Sequence, residues 1–396
     1  MTGSARFHRY LRIIAFAACL AEAGAASAEV SVSPRASIDV EYNSNIFSVA
    51  PGSPELVAQG DLQRSDTTLN YAAGLTVDGK WGLQQLTANF QGSEIDYVHY
   101  TDLDHSEYLG DVAFIWKSNG PFDGKLDVQR NHVMAPFKDT NTTELEVDTI
   151  QQFTGTLNVH VLNDFRLEST YSNTDSKTPV PGYPEASVNE NTEKVAFLYA
   201  GTANLSYGVG GAELEGKYSN SVNPTTYRQS TADIAVDYAV GAFSKINAWL
   251  GYSDRTYSST AQSNSAITGS LEFLRQLTGK TSISVDLSRA INNYVVGGGS
   301  EIDTSATLGV NWAATAKITV TAHIAETHSD FGQQSPTITT DAGRVDNFRT
   351  ASMSLDYQVL RWLTLRAYGQ YQSRDSNLYQ YIYNASIVGL QMKGQF

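Results

Sequence analysis

From Val30 to the C-terminus the chain alternates apolar and polar residues with a period of two, and no segment carries a sustained apolar stripe of period 3.6. Period two belongs to a pleated strand, whose successive side chains point to opposite faces, so the chain is committed to sheet with two chemically different faces. Ile38, Val40 and Tyr42 alternate with Ser37, Asp39 and Glu41, and Leu69, Tyr71, Ala73, Leu75 and Val77 alternate with Asn70, Ala72, Gly74, Thr76 and Asp78. The pattern returns over 108–116, 153–161, 195–205, 234–238, 283–287, 306–312 and 363–371. Composition agrees, because Tyr and Gly are plentiful and only 17% of residues are charged, which is strand chemistry and excludes a coiled coil. A net charge of −14 excludes a basic nucleic-acid binder.

One segment breaks the alternation. Arg6, Arg9 and Arg12 precede an apolar run over 13–20, and small residues then lead to Ala26-Ser27-Ala28. A charged start, a short apolar core and an A-x-A end predict a secretory signal peptide over 1–28, cut after Ala28, and too short to span a bilayer as a helix. The remaining 29–396 reads as one domain. The single cysteine, Cys19, lies inside the leader; a lipoprotein signal there requires Phe16 where such signals usually carry Leu. Cleavage after Ala28 leaves a chain with neither disulfides nor thiolate metal sites.

The connections between alternating segments themselves alternate in length. Eight short ones fall at 79–82, 118–123, 162–164, 208–211, 241–244, 276–280, 313–316 and 360–362, and nine longer polar stretches, such as 43–66, 131–148, 173–190 and 327–345, lie between them. Together they join eighteen strands, or sixteen if the weak hairpins at 212–218 and 264–273 are not real. Short turns on one rim and long loops on the other predict an all-β, transmembrane, antiparallel up-and-down barrel of the outer-membrane type, with both termini periplasmic. The chain end points the same way: Val388, Leu390, Met392 and Phe396 share one alternating face, an ending that resembles the last strand read by the barrel-assembly machinery. A secreted β-sandwich or β-helix is the competing architecture. Against it stand aromatic residues recurring near strand ends, as in interfacial girdles, and the lack of a fixed-length repeat.

If the apolar face meets lipid, the alternate face lines the lumen. The acids expected there are Asp39, Glu41, Asp111, Asp127, Glu168, Glu213, Glu215, Asp233, Asp237, Glu272, Asp286, Asp303 and Asp356; the bases are Arg35, Lys117, Arg166, Lys217, Arg366 and Lys393. Any one of these carboxylates is explained by its neighbours alone, but together their excess favours cations. A barrel of this size leaves an aqueous channel unless a loop fills it. The sequence carries no G-x-x-x-x-G-K-[ST], H-E-x-x-H or G-x-S-x-G, and its seven histidines are scattered, so neither an enzyme nor a cofactor is expected. Asp102, Asp104, His105 and Glu107 fall close enough to hold a divalent ion, although a solvated loop is the simpler reading. Two proline-containing loops, 178–185 and 332–341, are long enough to fold inward as constrictions.

The run Ile38-Asp39-Val40-Glu41-Tyr42-Asn43-Ser44-Asn45-Ile46-Phe47 resembles the opening of a family of β-barrel porins that includes the exosortase-associated exopolysaccharide export proteins, the EpsL-like barrels. In that family a strand leads into Tyr-Asp-x-Asn-Ile/Val-Phe, and Asn43 stands here where Asp is usual. A second match is Phe114-Ile115-Trp116 followed by Gly124-Lys125-Leu126, Arg130 and Pro136-Phe137. Together they cover about the first third of the processed chain. The resemblance implies an outer-membrane component of polysaccharide secretion and transfers no catalytic residue. Physically, Asn43 and Asn45 favour turn conformations and Ile46 with Phe47 can pack back over the rim, which makes Tyr42 to Phe47 a strand-to-loop clamp. The leading expectation is a passive hydrated conduit for extracellular polysaccharide. Its partners would be outer-membrane lipid and lipopolysaccharide, the assembly machinery and periplasmic export components, with no nucleic acid. The alternatives are a cation-preferring diffusion porin and a structural barrel whose loops bind matrix or a partner.

Overall fold

The computed structural model describes residues 29–50, 63–140, 143–162, 164–178, 186–202, 204–219, 225–258, 263–294, 299–331 and 343–396. The expected leader over 1–28 lies outside them, as do 179–185 and 332–342, most of the two loops expected to constrict the lumen.

The strands are β1 (Glu29–Asn43), β2 (Asp66–Trp81), β3 (Gln84–Tyr97), β4 (His105–Lys117), β5 (Phe122–Met134) and β6 (Val147–His160). Then follow β7 (Phe165–Thr178), β8 (Ala186–Thr202), β9 (Leu205–Ser219), β10 (Thr225–Val240), β11 (Ser244–Tyr257) and β12 (Ser263–Thr278). The last six are β13 (Thr281–Tyr294), β14 (Gly299–Ala313), β15 (Ile318–Asp330), β16 (Val345–Leu360), β17 (Leu363–Ser376) and β18 (Tyr383–Gln395). Each pairs antiparallel with its chain neighbour, and β18 returns to β1 from Arg35↔Gln395 to Asn43↔Ile387, closing an 18-stranded barrel. Closure leaves no sheet edge, the condition for a sheet to stand in hydrocarbon. A single helical turn, Phe137–Thr140, interrupts the connection after β5.

Tight turns and longer loops alternate around the two rims. Gly82 and Gly241 supply the left-handed backbone at two turns, with φ of 61° and 64°. Seven of the eight expected short turns fall between strands, and the eighth is corrected: 208–211 lies inside β9, and the reversal falls between Thr202 and Leu205. The glycines there serve the wall instead. A Cβ on Gly210 would come within 2.9 Å of the Asp233 carboxylate, so the bare backbone makes room for a side chain of the next strand. The long loops are shorter than expected because strands run on past the polar residues, as with β7 to Thr178 and β8 from Ala186.

The two faces are inverted relative to a soluble protein. Val40, Leu126, Val209, Ile234, Leu250, Leu308, Met353 and Leu390 are all exposed on the outer face. Two aromatic rows bound this belt. Near the short turns stand Trp81, Phe122, Trp312, Trp362 and Phe396, the last two stacked at 5.4 Å; toward the long loops stand Tyr42, Tyr71, Phe90, Tyr108, Phe153, Tyr171, Tyr252 and Tyr371. From Trp116 to Tyr108 along β4 is about 26 Å of strand, or about 20 Å of height once tilted, close to the apolar band of an outer-membrane barrel. Above the second row the outer face turns polar, with Arg130, Glu193, Glu213, Asp254, Arg289, Glu326 and Arg349 continuing the same outward series.

Candidate functional site

The lumen wall is built from the alternate positions, and directly opposed residues of antiparallel strands share a face. Phe197 opposite Val209 fixes the outer face of β8 and β9, and Leu308 opposite Ile324 that of β14 and β15. With the outer face known strand by strand, Asp39, Glu41, Asp111, Asp127, Glu168, Asp233, Asp237, Glu272, Asp286, Asp303 and Asp356 all stand on the inner face. So do Arg35, Lys117, Arg166, Arg366 and Lys393.

Three expected lumen residues are corrected. Glu213, Glu215 and Lys217 follow Val209 and Gly211 on the outer face, opposite Glu193, Asn191 and Asn189. The inference from polarity to lumen holds only within the apolar belt. These residues lie beyond the upper aromatic row, where the outer face meets head groups and water and charge carries no penalty.

The inner carboxylates are joined into local networks. At the closing seam the Tyr368 hydroxyl donates to Glu41 at 2.8 Å and lies 3.1 Å from Asp39, which also accepts from Gln391 at 3.2 Å. Arg366 grips Asp356 through two hydrogen bonds of 2.7 and 2.9 Å. Lys125 pairs with Asp127 at 2.8 Å, Arg166 with Glu168 at 3.3 Å, and Lys194 with the buried Asp233 at 3.4 Å. Asp111 accepts from Asn89 at 2.9 Å, Asp303 from Asn292 at 2.7 Å and Asp237 from Ser206 at 3.3 Å. Glu272 sits directly opposite Asp286, two like charges side by side on the water-facing wall. Such a pair is costly in a dry site and tolerable beside water, and it adds to a field that attracts cations.

The long-loop mouth is partly filled from two sides. On one, Ile46, Phe47 and Val49 of the loop after β1 pack with Ile95, Tyr97, Leu103 and Phe137 in a buried apolar cluster. Asn45 fixes it: its backbone N–H donates to Asn43 Oδ1 at 2.9 Å and its side-chain amide donates to the carbonyls of Val49 and Asn384 at 2.9 and 3.0 Å. The helical turn after β5 reaches across to the far wall, where Arg374 donates to the Lys138 carbonyl at 2.6 Å and the Lys138 ammonium stands 5.6 Å from the Phe348 ring. Buried Arg344, between the rings of Phe331 and Tyr381, and Arg374 share Asp346 and tie the last two long loops together. Within the connection after β5, burial and the neighbouring carboxylates of Asp148 and Glu144 push the Glu146 carboxyl up to about 7.

On the other side a hairpin bends inward. Pairing between β12 and β13 stops at Gly269↔Arg289, although β12 runs back to Ser263 on β11 and β13 runs on to Tyr294 with β14. The carbonyls that lose their strand partner are taken up by a side chain: Arg255, 1% exposed, donates to the Ile291 carbonyl at 3.1 Å and to Asn293 Oδ1 at 2.7 Å. The tip then touches strands far around the ring. Tyr218 donates to the Gly299 carbonyl at 2.7 Å, and Glu190 accepts from both Asn293 at 2.8 Å and Tyr227 at 2.7 Å. This hairpin was not anticipated; its sequence trace is the Asn292-Asn293 pair, where the alternation of β13 fails.

The acidic loop is not assembled as a metal site. Asp104 accepts the Tyr97 backbone N–H at 2.7 Å, and His105 Nδ1 donates to the Leu103 carbonyl at 2.7 Å while its Nε2 lies 3.4 Å from Glu107. Among the described residues no group of three or more His, Cys, Asp or Glu side chains is placed to hold a metal ion.

An apolar belt between aromatic rows around a polar, water-facing interior is the architecture of an outer-membrane β-barrel. Residues 247–396 match the family described as Putative beta-barrel porin 2. That stretch begins in β11 and ends with the chain, less than half of its length. No curated protein matches the chain. Among solved structures, it is similar to OccK2 (OpdF) of Pseudomonas aeruginosa in complex with glucuronate, at 12% identity over 93% of this chain and 98% of that one, with a TM-score of 0.48. OpdO of the same organism is similar at 12% identity over 93% and 97%, TM-score 0.48. The FrpB iron transporter of Neisseria meningitidis is similar at 10% over 92% and 81%, TM-score 0.47.

Proposed function

We propose that the chain is an outer-membrane channel, with its termini on the periplasmic side, that conducts extracellular polysaccharide outward rather than catalysing a reaction. The observation that carries the channel reading is the face inversion: aliphatic side chains outward between two aromatic rows, carboxylates and amides inward around water. Polysaccharide as cargo rests on the resemblance of Tyr42, Asn43, Asn45, Ile46 and Phe47 to exopolysaccharide export barrels. The wall chemistry suits it, because Asp, Glu, Asn, Gln and Tyr groups exchange hydrogen bonds with sugar hydroxyls at many weak sites and let a polymer slide. The filled mouth suits a gated conduit better than an always-open pore. Assembly would proceed through recognition of the final strand, with Val388, Leu390, Met392 and Phe396 as its signal.

A cation-preferring diffusion porin is the second reading, favoured by the acid excess on the inner wall. Conductance in planar bilayers separates the two. A low baseline that rises when the inward hairpin is released, and is then blocked by purified polymer, supports export; a large steady cation current indifferent to polymer supports the porin. Cells lacking the protein that keep normal surface polysaccharide would remove export from consideration.

A further inference from the structure

The outer wall of an ordinary barrel is convex, yet outward side chains from β7 to β15 line a single groove of about 1270 Å³. Phe197, Val209, Ile234, Leu250, Ile267 and Leu287 form its apolar floor and sides. This arc of wall is therefore concave toward lipid, and its volume exceeds the roughly 300–1,000 Å³ of most small-molecule sites. We propose that it is a binding site for a phosphorylated glycolipid of the outer leaflet, with acyl chains in the groove and the head group on the polar surface above. The proposal rests on the outer-membrane reading.

Apolar chains gain little by exchanging one hydrocarbon neighbour for another, so selectivity has to come from the head group. Arg289 stands at the groove's upper lip, where the outer face turns polar. It donates to Thr304 Oγ1 at 2.6 Å and forms no ion pair among the described residues, while nearby Glu326 is engaged by Arg349 at 3.0 Å. A guanidinium at the level of outer-leaflet phosphates is suited to charge-assisted, two-pronged hydrogen bonding. Above it on β8 to β11, and on the same outer face, lies a polar pocket of about 560 Å³. Lys217, Asn189, Asn191, Thr256 and Ser258 offer it cationic, amide and hydroxyl groups, the partners of sugars and phosphates, while Arg228 is paired with Glu213 and Glu215 adds one carboxylate to the lining. Val209 in the groove and Lys217 in the pocket are eight residues apart on one strand, about 26 Å. A ligand that fills both needs apolar tails and a head several sugars long, which a phospholipid lacks.

The test uses the full barrel in lipid nanodiscs, with native mass spectrometry of retained lipid after exchange against a core-bearing lipopolysaccharide or phosphatidylethanolamine. Wild type should retain lipopolysaccharide in preference to the phospholipid. Arg289→Glu should lower that retention about tenfold, the loss of one charge-assisted contact, and the groove-filling Ile267→Trp should lower it by taking the space of the acyl chains, whereas Arg130→Glu, outward on β5 beyond the groove, should leave it unchanged. Equal retention of both lipids by wild type would overturn the site, as would full retention by both variants. The wild-type comparison decides even if a variant fails to fold, and a chain that stays soluble without detergent would remove the membrane reading itself rather than the site.

Discussion

Asn45 illustrates how one buried amide organises a rim. Its side chain closes the hydrogen bonds of two carbonyls from segments at opposite ends of the chain, Val49 and Asn384, and thereby pins the loop carrying Phe47 to the last strand. Asn45→Ala leaves both acceptors without that donor and should cost about 1–3 kcal/mol, and Phe47→Ala should cost about 3–5 kcal/mol; denaturant unfolding in detergent micelles reads both. Glu146 gives a pH dependence of definite sign. Its carboxyl is held above the ordinary 4.5, at about 7, by burial and two neighbouring carboxylates. The folded loop is thus unpenalised below the ordinary value and loses stability as pH rises through that window. Proteolysis of the connection after β5 should speed up between about pH 5 and about pH 8, and Glu146→Gln should flatten the profile. At this scale turn-forming asparagines followed by two large apolar residues were legible as a packed strand end. The facing of Glu213, Glu215 and Lys217 was not, because polarity reports the lumen only where lipid excludes charge.

Among the elements, the far end of the β13–β14 hairpin leaves the β12 ladder and is positioned by side chains instead. Arg255 substitutes for the missing rungs of β12, and Tyr218 and Glu190 hold the tip. Arg255→Met keeps much of the stem but removes the donors, so the hairpin should swing out and single-channel conductance should rise. Tyr218→Phe removes the hydroxyl that donates to the Gly299 carbonyl and should raise conductance in the same direction. Unchanged currents in both would show that the hairpin does not obstruct the pore. Strand existence was readable from period two alone, since each barrel strand must present lipid and water on alternate residues. The turn before β9 was misplaced because glycine marks both reversals and close backbone approach, and only the neighbouring strand shows that Gly210 makes room for Asp233. The inward bend left only the Asn292-Asn293 break in the alternation, which marks that β13 changes but not where it goes, because its position depends on contacts between residues some 36 to 103 positions apart.

For the whole molecule, eighteen strands and a closed ring follow from the alternation of short and long connections, which a sandwich with interior apolar faces does not require. The inner wall's acid excess sets a prediction at this scale. Glu272→Lys with Asp286→Lys reverses two opposed carboxylates beside water and should lower cation over anion selectivity measured from reversal potentials. Asp233→Lys should do less, since Asp233 is buried against Lys194 and little of its charge faces the conduit.

The seam between β1 and β18 has a mechanical consequence. Only Pro34 to Asn43 are stitched to both neighbours, Pro34 through the Phe396 N–H that donates to its carbonyl at 2.9 Å, while Glu29 to Ser33 hold to β2 alone. Residues joined there are some 350 positions apart in sequence, so this zip is the slowest loop to close and should form last as the sheet curls. Pulled from its first residue with an atomic-force tip, the cylinder should peel open at that margin, β1 leaving at the lowest force before the remaining hairpins yield in turn.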